Sequence, residues 1–170
     1  MSDVIYALGT PDICDQYGAD IQVALPIFKS YGGLTRMTGV IETLKIDQNN
    51  AKFWELLRTP GKQRILVVDA GADIGAVMGD KMADLAVKNG WKGVVINGYI
   101  RDTAILQTLP LGVWALGHYP KKGSRLTEAQ HNVPLTFADM TLMPTDTLYA
   151  DEDGLLVTPH SFPEFENYFH

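Results

Sequence analysis

The sequence predicts a mixed α/β fold in a single domain, and three observations point there. The chain has 170 residues, the size of one compact domain and long enough to bury a sizeable core. Its middle section alternates short continuous apolar runs with stretches of helical spacing, the βαβα order that produces parallel strands. From His131 the texture changes to short strands broken by turn residues, which adds antiparallel strands. No internal repeat, linker or low-complexity segment divides the chain, so residues 1–170 are read as one domain.

The elements follow in order. In "TPDICDQYG", Thr10 is a candidate N-cap, Pro11 stands at the first helical position and Gly18 marks the stop. "MTGVIETLKI", Met37 to Ile46, has β-branched residues and partial alternation, and reads as a strand. "NNAKFWELLRTPG" reads as a helix capped by Asn49 or Asn50, with Phe53, Trp54 and Leu57 inward and Pro60-Gly61 at its end. A buried strand runs from Arg64 to Asp69 and is closed by Gly71. In "GDKMADLAVKNGW", Met82, Leu85, Ala86 and Asn89 follow helical spacing up to a stop at Gly90. "KGVVINGYI" is another buried strand, "DTAILQTL" a short helix starting at Asp102, and "GVWALGHYP" a further strand. "VPLTFADMTLMP" and "TLYADEDGLLVTP" supply short strands, the second bent into a hairpin at Asp151 to Gly154. "SFPEFENYF" reads as a terminal helix starting near Ser161.

Composition excludes several functions. Hydrophobic residues make up 46% and charged residues 20%, an ordinary soluble globular balance, and the net charge is −6. No basic stripe suits nucleic acid; the densest basic spot, Pro120 to Arg125, reads as an exposed loop. No apolar run approaches the ~18 residues that span a bilayer, and "MSDVIYALGT" lacks the basic start of a signal peptide, so a cytoplasmic protein is expected. The one cysteine, Cys14, excludes an intrachain disulfide and reads as core packing on an inward helical face. His118, His131, His160 and His170 lie too far apart for a usual zinc spacing and read as surface or packing residues. A methyl-donor site is not expected either, because "VVDAGADIGA" has too few glycines and the wrong following context.

One spacing stands out. Asp80 and the adjacent pair Arg101-Asp102 each fall at the start of a helix after a strand, and 20 residues separate Asp80 from Arg101. In a parallel arrangement both helix starts lie at the C-terminal ends of the strands, so the three side chains would converge in one pocket. A helix N-terminus offers free N–H groups and a positive dipole end to a carboxylate, and Gly79 would permit close approach to the backbone. Residue types alone leave two readings open: helix caps with a surface ion pair, or an active site.

The chain resembles the family that joins the regulator of ribonuclease E activity A to the class II 4-hydroxy-4-methyl-2-oxoglutarate aldolases. The resemblance covers almost the whole chain and includes "TPDICDQYG", "PIFKSYGG", "ILVVDAG", "GDKMADLAVKNGWKGVVINGYIRD", "LPLGVWALGHYPKK", "VPLTF" and "LYADEDGLLV". In that family the pattern D-x20-R-D marks members with a metal-dependent lyase site, and Asp80, Arg101 and Asp102 complete it here. The resemblance implies an α/β/β/α swivelling sandwich, like a phosphohistidine domain, with mixed sheets. It also implies a ring-like homotrimer with sites at subunit interfaces, where Trp54 or Tyr99 would be interface anchors or core residues.

The implied roles are specific. Asp102 would ligate a divalent metal, Mg²⁺ or Mn²⁺, directly, and Asp80 would help hold the hydrated ion through water. Arg101 would bind the oxygen that becomes negative in a pyruvate enolate. The backbone from Gly79 through Asp80, Lys81 and Met82 would bind the carboxylate of a small α-keto acid. The implied activity is cleavage of such an acid to pyruvate, as a 4-hydroxy-4-methyl-2-oxoglutarate aldolase, an oxaloacetate decarboxylase, or both. The alternative is a protein-binding inhibitor of ribonuclease E, docking through an acidic surface. The chain departs from the family at "AGADIGAV", where a glycine-richer stretch and a basic residue are usual. Asp73 in that stretch is expected to face solvent. Glu164 and Glu166 match only by position the acid that some family aldolases borrow from a neighbouring subunit, and that role is not carried over.

Overall fold

The computed structural model describes residues 7–47, 49–123 and 128–170. Helix α1 (Thr10–Tyr17) is followed by two short strands, β1 (Gln22–Val23) and β2 (Lys29–Ser30), and by the long β3 (Met37–Lys45). Next come α2 (Ala51–Leu57), β4 (Ile65–Asp69), β5 (Ala76–Met78), α3 (Asp80–Lys88), β6 (Gly93–Ile100) and α4 (Thr103–Leu106). Then follow β7 (Gly112–His118), β8 (Gln130–His131), β9 (Leu135–Phe137) and β10 (Met140–Leu142). The last elements are β11 (Thr147–Ala150), β12 (Leu155–Thr158) and α5 (Pro163–Glu166).

The sheet is mixed, as expected. Strands β3, β4, β6 and β7 lie side by side and parallel. Antiparallel strands flank them: β11 and β12 beyond β3, β1 on β12, and β2 on β7. Strand β3 serves both halves, since Met37 to Val40 pair with β11 and Ile41 to Lys45 pair with β4.

Side-chain alternation explains the continuous apolar runs. Leu66, Val68, Val94, Ile96 and Val113 face α2 and α3, where they meet Phe53, Leu57, Met82 and Ala86. Their neighbours Ile65, Val67, Val95 and Trp114 belong to a second cluster with Leu148, Val157 and the β9–β10 hairpin. Parallel strands covered on both faces need apolar residues at every position, and each buried Leu, Val or Phe contributes roughly 1.5–3 kcal/mol. A third cluster joins α1 and α5 to Tyr149 and Leu156 of the β11–β12 hairpin.

Several boundaries differ from expectation. Thr10 is the first residue of α1, and the N-cap is Gly9. Thr10 instead donates its N–H and hydroxyl to Asp151, at 2.6 and 2.8 Å. Asp151 is only 2% exposed and also accepts the amides of Asp153 and Gly154. One buried carboxylate therefore closes the hairpin turn and ties it to α1. Asp151→Asn is expected to destabilise the protein by about 1–3 kcal/mol in urea unfolding, because its amide group would face N–H donors where only acceptors satisfy them. Strand β4 begins at Ile65, after Arg64. Helix α4 is four residues long and α5 starts at Pro163, so both are shorter than their sequence patterns. Trp54 is half-buried, unlike its fully buried neighbours Phe53 and Leu57. Cys14 is half-buried beside the third cluster; burial, then the nearby Asp15 and Asp151, push its thiol pKa up, which suits packing and not nucleophilic chemistry. Among the described residues, no helix is long and apolar enough to cross a membrane.

Strands β1, β2, β5 and β8 have no counterpart in the sequence reading. Of these, β5 matters for function. The β4–β6 ladder ends at Asp69 opposite Asn97. There Asn97 donates its side-chain amide to Asp69 Oδ1 at 2.9 Å, and the Gly71 amide donates to the same oxygen. The chain then loops out and returns as β5, which takes the place of β4 beside the last residues of β6.

Candidate active site

Helix α3 follows β5, not β4. Met78 lies opposite Ile100, and the Arg101 amide donates to the Met78 carbonyl at 3.0 Å. Gly79 continues the extended path, with φ −143° and ψ −163°, into the first turn of α3. Adjacent strand ends therefore bring Asp80 beside Arg101 and Asp102. The three predicted side chains line one cleft of about 140 Å³ together with Gly79, Lys81 and Met82.

The backbone at Asp102 decides how the adjacent acid and base are used. Asp102 has φ 62° and ψ 36°, the left-handed region, and makes no side-chain cap to α4. A capping side chain needs an extended backbone at the N-cap; the left-handed conformation, tolerated by Asp and Asn, turns the carboxylate elsewhere. It meets α3 instead: the Asp80 amide donates to Asp102 Oδ2 at 3.1 Å. The helix-cap reading of Asp102 is thereby corrected. The ion-pair reading is weak as well, because Arg101 Nε stands 4.0 Å from Asp102 Oδ2 with both side chains more than a third exposed. Arg101 also reaches the Pro120 carbonyl through Nη1 at 3.5 Å.

At the start of α3 the helix dipole and free amides attract carboxylates. Asp102 takes the Asp80 amide, and Asp80 Oδ1 takes the Lys81 amide at 2.7 Å. The protein's own acids thus occupy two of the amides expected to bind a substrate carboxylate.

The cleft also holds residues that sequence reasoning did not assign to it. Asn50, the N-cap residue of α2, and Trp54 within that helix line it, as do Ala76, Met78 and Lys122. Asn50 donates to the Val77 carbonyl at 2.9 Å and so fastens α2 to β5. Lys122 belonged to a stretch read only as a basic loop; its position depends on pairing with Ala76, a contact no local pattern reveals. The lining carries Lys81, Arg101 and Lys122 against Asp80 and Asp102, a local positive balance in a chain of net charge −6. Such a cleft favours small anions.

The oxygen-only donor set of Asp80 and Asp102 fits a hard divalent ion. Among the described residues, no three His, Cys, Asp or Glu side chains converge, so such an ion would keep several waters, as Mg²⁺ commonly does. The histidines lie elsewhere: His131 faces the buried Glu42, which also pairs with Arg64, and His118 meets the Tyr31 hydroxyl. His160 and His170 are exposed. Asp73 is exposed, as expected, and is not part of the cleft lining. Glu164 and Glu166 lie in α5, where Glu164 accepts the Tyr17 hydroxyl. Tyr99 is half-buried in β6. The basic stretch is described only as far as Gly123, and Ser124 and Arg125 lie outside the described residues.

A sequence profile of RraA-like proteins, described as Aldolase/RraA, matches residues 10–157. The chain belongs to the RraA-like family. Among its curated relatives is a protein of Deinococcus radiodurans named "Putative 4-hydroxy-4-methyl-2-oxoglutarate aldolase", 44% identical over 87% of this chain and 92% of its own length. A protein of Laribacter hongkongensis with the same name is 42% identical over 88% of this chain and 95% of its own. The solved structure of the RNA-processing inhibitor RraA from Thermus thermophilis superposes with a TM-score of 0.86, at 35% identity over 91% of this chain and 94% of that one. This RraA-like chain thus shares its mixed α/β fold with an inhibitor of RNA processing and most of its length with proteins named as aldolases.

Proposed function

We propose that this chain is a divalent-metal-dependent lyase that releases pyruvate from α-keto acids. Its reactions would be aldol cleavage of 4-hydroxy-4-methyl-2-oxoglutarate-like substrates, decarboxylation of oxaloacetate, or both. The observation that carries the reading is the meeting of Asp80, Arg101 and Asp102 in one cleft, with the Asp102 carboxylate turned away from its own helix and toward α3.

In this reading, Mg²⁺ or Mn²⁺ would be held directly by Asp102 and through water by Asp80, and would supply Lewis-acid polarisation of the keto oxygen. The guanidinium of Arg101, held by its backbone on Met78 and by Pro120, would donate to the oxygen that gains charge as the C–C bond breaks. A preorganised donor of that kind acts chiefly on the transition state. The substrate carboxylate would compete with Asp80 Oδ1 for the Lys81 amide, leaving Asp80 to orient water. The cleft is smaller than the ~300–1,000 Å³ usual for ligand sites, and in this reading a neighbouring subunit of a homotrimer of swivelling domains would complete it.

The test is pyruvate release from both substrates with Mg²⁺ and with chelator. Chelation is expected to abolish release, and readded Mg²⁺ or Mn²⁺ to restore it. Arg101→Lys is expected to lower kcat about tenfold to a hundredfold, since the ammonium keeps the charge but loses the planar fork. Release that persists in chelator sinks the metal assignment.

The likeness to the Thermus thermophilis inhibitor favours a second reading, a regulator that binds ribonuclease E. Tight, metal-independent capture of that endonuclease by a chain without lyase activity would establish it instead.

A further inference from the structure

We propose that Lys122 is a specificity-determining residue that binds the far carboxylate of a dicarboxylic α-keto acid, an assignment that rests on the lyase reading. The residue is exposed at its tip but fixed at its root. The Ala76 amide donates to the Lys121 carbonyl at 2.9 Å, and the Gly123 amide donates to the Ala76 carbonyl at 3.1 Å. Lys122 therefore stands directly opposite Ala76 in a parallel bridge. Its neighbours are anchored too: the Tyr119 amide donates to the Ile100 carbonyl, and the Pro120 carbonyl accepts from Arg101. The segment that orients the arginine also presents the lysine.

The layout of the cleft gives each cation a separate place. Asp80 lies four positions after Ala76 along an extended path, about 13 Å at the usual rise of a strand. The start of α3 is at one end of that path and the root of Lys122 at the other. The four-carbon stem of a lysine spans part of the gap, leaving room for a short keto acid between its ammonium and the α3 amides. A keto acid whose first carboxylate sits at α3 and whose keto oxygen faces Arg101 would carry a second carboxylate toward Lys122. Trp54, which packs against the core while lining the same cleft, supplies an apolar wall along the middle of such a molecule. A monocarboxylic acid would leave the Lys122 ammonium without an anionic partner.

The experiment compares two five-carbon keto acids, 2-oxoglutarate and 2-oxopentanoate. Both lack the hydroxyl that aldol cleavage needs. Their binding to the full chain with Mg²⁺ is measured by calorimetry, alongside pyruvate release from oxaloacetate. The wild type is expected to bind 2-oxoglutarate at least about tenfold more tightly, as a charge-assisted contact predicts. Lys122→Met is expected to remove that preference while leaving 2-oxopentanoate affinity unchanged, and Lys122→Arg to keep it. Equal weakening of both ligands by Lys122→Met, or a wild type that does not discriminate, overturns the assignment. Pyruvate release without Lys122-dependent preference leaves the lyase reading intact and removes this one. Lys122-dependent preference without pyruvate release does the reverse.

Discussion

Asp102→Asn is expected to lower pyruvate release by about a thousandfold, the scale of losing a key electrostatic group in an active site, while the folded chain stays intact. The substitution is isosteric, and asparagine tolerates the left-handed backbone found at this position (φ 62°). Its side-chain carbonyl can still accept the Asp80 amide, which donates to Asp102 Oδ2 at 3.1 Å. What disappears is the negative charge, and with it the proposed direct attachment for a divalent ion. The Mg²⁺ dependence of the residual rate should move to higher concentration, and the urea midpoint should stay near that of the wild type. Asp102→Ala provides the contrast. It leaves the Asp80 amide unpaired and places a β-carbon residue with no polar compensation in the left-handed region, so it should lose stability by about 1–2 kcal/mol as well as activity. If Arg101 and Asp102 were only a surface pair, their 4.0 Å separation and exposure would make the pair worth less than about 1 kcal/mol, and Asp102→Asn would leave catalysis untouched.

The same geometry explains which parts of the molecule were legible in the sequence. Long elements with repeated apolar spacing could be read directly: β3, α2, β4, α3, β6 and β7, and the hairpin around Asp151. Their patterns come from local propensity and two-sided burial. Strand β5 could not be read, because three residues after a turn-rich loop carry no period. Its existence depends on the free edge of β6 beyond Asn97, where β4 has already stopped. This hidden strand ends with Met78 opposite Ile100 and so delivers Asp80 beside Arg101. Lys122 was invisible for the same reason, since only its bridge to Ala76 places it in the cleft. The adjacency of Arg101 and Asp102 was legible, but its meaning was not. A capping aspartate and a left-handed one look alike in sequence; they differ in where the carboxylate goes.

Gly79→Ala is expected to cost at least about a hundredfold in kcat/KM, the scale of an ~1 Å misplacement of a reacting group. The glycine is not needed for backbone freedom, because φ −143° and ψ −163° suit any residue. The demand is steric. A β-carbon here would lie 2.4 Å from Asp102 Oδ2 and 3.5 Å from Arg101 Cγ. The carboxylate would have to move, breaking its hydrogen bond with the Asp80 amide and displacing the proposed metal ligand. Overpacking against a group tied in place on one side costs roughly 1–3 kcal/mol, so urea unfolding should register the change as well. Gly71→Ala separates site geometry from backbone strain. Its φ of +74° strains an alanine, but no heavy atom lies within 4 Å of the new β-carbon, so it should lose about 1 kcal/mol of stability and keep its Mg²⁺ dependence. A Gly79→Ala variant with wild-type kcat/KM and metal response would mean that Asp102 can leave the mouth of α3 without consequence. The convergence of Asp80, Arg101 and Asp102 would then be an accident of packing between β5 and β6.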